Sequence, residues 1–131
     1  MPVIDAAVLV DALVVVGAPG EAARVEVGRL PELQVPCIFA AEAVSAIRGL
    51  LRRGELSPAR ARAALERIRV ARTVQYAFEP FADRVWELRD NVSVYDAWYI
   101  ALAEWLTTEL VTGDARLVGA VGARCAIRLV A

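Results

Sequence analysis

The feature that most constrains this chain is an alternation of brief apolar runs of strand length with longer segments of helical period. Val3-Ile4-Asp5 reads as a short strand ending in an acid, followed by an apolar helix from Ala6 to about Val16 that Gly17, Pro19 and Gly20 stop. Residues 20–30 read as helical, Gln34-Val35-Pro36 as a second strand, and about Cys37 to Arg53 as a helix closed by Gly54. Ser57 as N-cap and Pro58 at the first helical position open a helix to about Arg69. Thr73 to Phe78 alternates like a strand, Pro80 to Asp90 is helical, and Ser93 begins a helix through about Leu106. Glu109 to Thr112 is a strand, Asp114 to Val121 a short helix, and Ala126 to Val130 a last strand. Short strands spaced by helices predict an α/β sandwich around a mostly parallel sheet. No repeat, low-complexity tract or linker divides the chain, so a single domain over residues 1–131 is expected. Sites in such sheets form at the carboxyl ends of strands, where Asp5 and Asp114 both fall.

What the chain lacks narrows its chemistry. It has no histidine and no lysine; all 15 cations are arginine. That removes Ser-His and Cys-His nucleophilic catalysis, histidine acid–base chemistry, Schiff-base lysines and the P-loop lysine. Zinc sites built on His and Cys are excluded as well. Hydrolysis would have to run on carboxylates, with a hard cation bound through oxygen. Cys37 and Cys125 form no metal-type CxxC pair and are expected to be buried thiols in a reducing cytoplasm. No apolar run reaches the ~18 residues of a membrane span. The opening Met1-Pro2-Val3-Ile4-Asp5 has no basic region and is unlike a signal peptide.

Net charge is −1, but it is unevenly spread. Residues 48–72 hold eight arginines (48, 52, 53, 60, 62, 67, 69, 72) against Glu55 and Glu66, while the remainder holds seven arginines and fourteen acids. A basic segment on an otherwise acidic chain suits a polyanion that must approach an acidic site. A solvated pair of helices with favourable Glu–Arg spacings accounts for it as well.

Four acids are candidates for that site, and each has a structural alternative. Asp5 and Asp114 both precede helices and could be simple N-caps, and Ser93-x-x-Asp96 fits a capping box. Glu42 is mid-helix, where a salt bridge to a nearby arginine would explain it. Two features favour function. Residues 94–106 are apolar nearly all round, with Asp96 and Glu104 the only charges, so the helix is expected to be buried. A buried ionised carboxylate is costly without a cation or donors. If the sheet gathers these acids, their repulsion raises their pKa values, and a divalent cation relieves it while acidifying a coordinated water.

The chain resembles PIN-domain ribonucleases, specifically the VapC toxins of bacterial type II toxin–antitoxin systems, over essentially its whole length. The matching stretches are Val3-Ile4-Asp5-Ala6, Glu42-Ala43-Val44 with Ile47-Arg48-Gly49-Leu50, Tyr95-Asp96-Ala97-Trp98-Tyr99-Ile100-Ala101-Leu102-Ala103, and Thr112-Gly113-Asp114-Ala115-Arg116-Leu117. The third and fourth are the specific ones. The resemblance implies a three-layer α/β/α sandwich with a five-stranded sheet and an acidic pocket for Mg²⁺ or Mn²⁺. It implies Asp5 and Asp96 as principal metal ligands, and Glu42 and Asp114 as partners holding surrounding water, a second metal or the attacking water. Thr112 matches the family's hydroxyl beside the last acid. One departure is Ala7, where many members carry Ser or Thr.

By the same resemblance the substrate would be RNA, commonly tRNA or ribosomal RNA. The partner would be a VapB antitoxin, and the oligomer a homodimer in the cytoplasm. Arg48, Arg52 and Arg53 would meet either an RNA backbone or an acidic antitoxin tail. Other readings stay open: a metal nuclease acting on DNA or structured RNA, and a degenerate PIN-like binding module. A phosphoacceptor signalling domain would want a strand-end lysine, which is absent.

Overall fold

The two central strands are those the sequence makes most apolar. β1 (Val3–Ile4) and β4 (Leu110–Thr112) are buried throughout and lie side by side. In this computed structural model, which describes residues 1–130, β2 (Leu33–Pro36) and β3 (Thr73–Tyr76) extend the sheet from β1, and β5 (Ile127–Leu129) extends it from β4. The order is β3-β2-β1-β4-β5 and every pairing is parallel, with Val3 opposite both Gln34 and Leu110. The chain winds outward from β1 in one direction and then returns to build β4 and β5 in the other. Between β1 and β4 the order reverses, and such a reversal opens a crevice beyond the carboxyl ends of the strands.

Helices cover the sheet in two groups, giving the expected three-layer sandwich. α1 (Ala6–Val14), α2 (Ala18–Gly28), α3 (Phe39–Arg52) and α4 (Pro58–Val70) pack on one another through α1. α5 (Ala82–Glu87) and α6 (Val94–Trp105) pack together, and α6 lies against β1, β2 and β4. The starts of the helices follow the local code. The Ser57 hydroxyl accepts from the Arg60 amide at 3.2 Å, and the Ser93 hydroxyl from the Asp96 amide at 3.1 Å. Gly20 is needed where α2 meets the end of α1, since a Cβ there would stand 1.9 Å from the Val15 carbonyl oxygen. Residues 97–103 of α6 are buried without interruption, as the sequence predicts.

The edge strand β5 is closed off by charge. Arg128 on it donates to Glu26 of α2 at 2.5 Å and to Glu109 at 2.9 Å.

Three expectations are corrected. The helix expected from Asp114 to Val121 is only a 3-10 turn, Ala115–Leu117: Val118 is already extended, and Gly119 and Gly122 at φ of 81° and 89° keep the chain off the helical path. The segment expected to be helical from Pro80 to Asp90 is a 3-10 turn, Glu79–Phe81, followed by the short α5. Cys37 is exposed and Cys125 half-buried, because one lies past the end of β2 and the other in the turn before β5. Both thiols are free. Among the described residues, no single helix is long and apolar enough to cross a membrane.

Candidate active site

Asp5 leaves β1 directly into the crevice and caps α1. Its Oδ1 accepts from the Val8 amide at 3.1 Å and the Gly113 amide at 3.4 Å, and its Oδ2 accepts the Thr112 hydroxyl hydrogen. Thr112, fully buried at the end of β4, also accepts from the Asp114 amide at 3.0 Å. One hydroxyl therefore ties together the acids that follow β1 and β4. Burial pushes the Asp5 carboxyl above the usual range; the bonds from Thr112, Val8 and Gly113 oppose that, and the charge of Asp96 adds to it.

Asp96 sits in the first turn of α6, with its amide on Ser93 as the capping reading expects. Its carboxyl is nonetheless pushed up by burial, with Asp114 raising it further and the Ser93 hydroxyl and Arg116 pulling it down. Glu42, expected mid-helix, lies in the first turn of α3, because the helix starts at Phe39, and it accepts the Tyr99 hydroxyl hydrogen at 2.7 Å. Burial raises its carboxyl, Tyr99 opposes this, and the charges of Asp96 and Asp5 raise it again. Burial, with Glu42 alongside, drives the Tyr99 hydroxyl far above its ordinary value, so it is a permanent donor.

Asp114 differs from the other three. It is held below the usual carboxylate range by the Arg116 guanidinium, which meets its oxygens at 3.0 and 3.1 Å. Repulsion thus links Glu42 to Asp5 and Asp96, and Asp96 to Asp114. The capping expectations for Asp5 and Asp114 hold, because the ends of β1 and β4 are also the starts of helical turns. The arginine partner expected as the alternative for Glu42 is replaced by Tyr99.

Among the described residues, no three carboxylates converge tightly enough to cage an ion unaided. An all-oxygen donor set suits a hard cation that takes one or two carboxylates and keeps several waters, as Mg²⁺ does. A fully dehydrated cage for Ca²⁺ would need more ligands than these. The expected hydroxyl is absent at Ala7, whose methyl lies 3.3 Å from where a Cβ on Gly113 would stand.

The three candidate arginines separate. Arg53 lines a groove with Glu42 and Asp11 beside the acids, whereas Arg48 lines the apolar cleft between α3 and α4 with Val44, Leu65 and Arg62. Arg52 is exposed at the end of α3. Two residues of the site, Tyr99 and Arg116, stand in the sequence only as a neighbour of Asp96 and a member of the last motif. Tyr99 had a usable signal, since a tyrosine on a buried helix face needs a partner for its hydroxyl.

Residues 3–121 match the PIN domain family. The chain is 40% identical to Ribonuclease VapC1 of Mycobacterium tuberculosis over 98% of this chain and 96% of that protein. It is 37% identical to Ribonuclease VapC9 of the same organism over 99% and 98%. Among solved structures, FitAcB from Neisseria gonorrhoeae shares the fold with a TM-score of 0.70 at 18% identity, covering 98% of this chain and 96% of that one. The chain belongs to the PIN-domain family and, within it, to the VapC ribonucleases.

Proposed function

We propose that this chain is a metal-dependent endoribonuclease, the toxic member of a type II toxin–antitoxin pair, with Asp5, Glu42, Asp96 and Asp114 as its catalytic acids. The observation that carries this reading is the joining of Asp5 and Asp114 through Thr112 at the β1–β4 crevice, with the charges of Asp5 and Asp96 acting on Glu42 and that of Asp114 on Asp96. A cation would offset the desolvation and repulsion and favour the ionised acids. Its relatives' designation as ribonucleases supports RNA as the substrate class, and tRNA or ribosomal RNA is the proposed target.

Asp5 and Asp96 are the principal ligands for Mg²⁺ or Mn²⁺, and Asp114 and Glu42 hold surrounding water or a second ion. When bound, the cation neutralises the cluster and lowers the pKa of a coordinated water. Asp5 is immobilised by Thr112, Val8 and Gly113, so its free lone pairs need no reorganisation to act. Glu42, fixed by Tyr99 and made more basic by burial, is suited to accept the proton of an attacking water. With Ala7 offering no hydroxyl, orientation of Asp5 falls to Thr112.

The partner is a VapB-type antitoxin. Val44, Ile47, Leu51 and Leu65 floor the α3–α4 cleft and Arg48 and Arg62 rim it, which suits an acidic amphipathic segment. Arg53, and Arg52 beside it, lie on the side of RNA approach. Exposed Trp86, Trp105 and Val121 supply apolar surface for a homodimer. A cytoplasmic location follows from an RNA substrate.

The test is cleavage of total tRNA and ribosomal RNA with Mg²⁺ or Mn²⁺, with chelator, and with Asp96→Asn. Cleavage is expected only with the cation and the intact acid. Full activity in chelator defeats the proposal.

A further inference from the structure

Asp114 is the acid of this cluster whose charge the chain itself matches. Its Oδ1 accepts from the Arg116 amide at 2.9 Å and from Nε at 3.1 Å, and its Oδ2 accepts from a terminal guanidinium nitrogen at 3.0 Å. The influence of that guanidinium extends to Asp96, on a different element. Yet the Arg116 side chain is 91% exposed, and among the described residues its guanidinium makes no other hydrogen bond. An exposed fork of this kind is held only weakly. It occupies lone pairs that a divalent cation would also seek, and the other planar-fork partner of a guanidinium is phosphate.

We infer that Arg116 is a two-position residue: it latches Asp114 between turnovers and moves to a backbone phosphate of the RNA when a divalent cation takes the carboxylate. This rests on the metal-nuclease reading above. Three properties make the exchange feasible. The side chain is solvated and free to swing, the pairing spans only two residues so its loss unfolds nothing, and the charge stays beside the acids in either position. The latch also explains how a surplus of carboxylates is tolerated at the mouth of the crevice, where Arg116 offsets the repulsion between Asp114 and Asp96.

Calorimetric titration with Mn²⁺ on wild type, Arg116→Ala, Arg116→Lys and Asp96→Asn tests this, alongside kcat and KM on total tRNA. Removing a competing cation should tighten Mn²⁺ binding by Arg116→Ala about three- to tenfold, while loss of the phosphate fork raises KM roughly tenfold with kcat little changed. Arg116→Lys should keep Mn²⁺ affinity near wild type and give an intermediate KM, since it retains the charge without the fork. An Arg116→Ala protein that melts like wild type but binds Mn²⁺ no tighter overturns the latch. If Asp96→Asn still weakens Mn²⁺ binding in that case, the metal site stands and only the latch falls. If wild type binds no Mn²⁺ at all, the metal-nuclease reading falls and takes the latch with it.

Discussion

Tyr99 of α6 donates its hydroxyl hydrogen to Oε1 of Glu42 on α3 at 2.7 Å, across 57 positions of chain. The bond holds an acid that would otherwise be free to rotate, and it is one of the few interactions opposing protonation of Glu42. Tyr99→Phe keeps the buried ring and removes only the donor. The Glu42 carboxyl should then shift further upward, moving the acid limb of the kcat/KM profile to higher pH. Stability should drop by about 1 kcal/mol, the ordinary net worth of one hydrogen bond, measured by urea unfolding. An unmoved acid limb would mean that Glu42 has no part in the rate.

Asp96→Asn should be more stable than wild type at neutral pH and catalytically dead. The folded pKa values of Asp5, Glu42 and Asp96 lie above their ordinary values of 3.8, 4.5 and 3.8, so the folded protein binds more protons than the unfolded chain in this window. Their contribution is fully present below the ordinary values and is lost as pH rises through the raised ones. Melting temperature should therefore fall as pH rises above the ordinary carboxylate range, and Asp96→Asn should flatten the slope. In strong acid the trend reverses, because Asp114, Glu26 and Glu104 are held low and lose their partners as they protonate. Above the raised value the asparagine variant should melt higher than wild type, and a wild-type melting temperature at or above that of the variant would contradict this.

Divalent cation should stabilise the wild type and not that variant. A ligand that binds only the folded state contributes about 2.7 kcal/mol at a hundredfold excess over its Kd. A thermal-shift series with Mn²⁺ and chelator reads this without any RNA. Equal shifts for wild type and Asp96→Asn would place the ion elsewhere.

Thr112→Val tests the hydroxyl that joins the two strand ends. Valine matches the shape, but Asp5 loses a donor and the Asp114 amide loses its acceptor. With Asp5 buried, the cost should be about 1–3 kcal/mol in urea unfolding, with cleavage reduced more than stability. An active variant of wild-type stability would leave Asp5 oriented by its amide donors alone.

The two arginine surfaces should separate by experiment. Arg53→Ala should weaken RNA binding and reduce its salt slope by about one, as expected for one lost phosphate contact. Arg48→Glu, at the α3–α4 cleft, should weaken antitoxin binding and leave cleavage of RNA intact. If both substitutions impair only cleavage, the basic helices serve RNA alone.

Much of this architecture was legible locally. Ser57 with Pro58 and Ser93 with Asp96 mark helix starts that the structure reproduces, because a cap is an interaction between residues three apart. The continuous burial of residues 97–103 follows from an apolar face that goes all round the helix. The failures are equally physical. The turn at residues 115–117 ends at an extended Val118 and is followed by two glycines in left-handed backbone, a choice open to glycine and not dictated by it. Cys37 looked like a core residue by type, yet its exposure depends on where β2 ends.

The sequence by itself determined most of the elements, the all-carboxylate chemistry left by the absence of histidine and lysine, three acids at element boundaries (Asp5, Asp96 and Asp114) and a fourth, Glu42, within a helix. Only the tertiary structure decided that β1 and β4 lie adjacent, so that Thr112 reaches Asp5 and Tyr99 reaches Glu42. It also decided that Asp114 is matched by Arg116 while its three companions are not. Caps and periodicity act within one or two turns of chain and can be read along it. Burial and charge repulsion act through space, and their strength exists only once the sheet order has brought distant residues together.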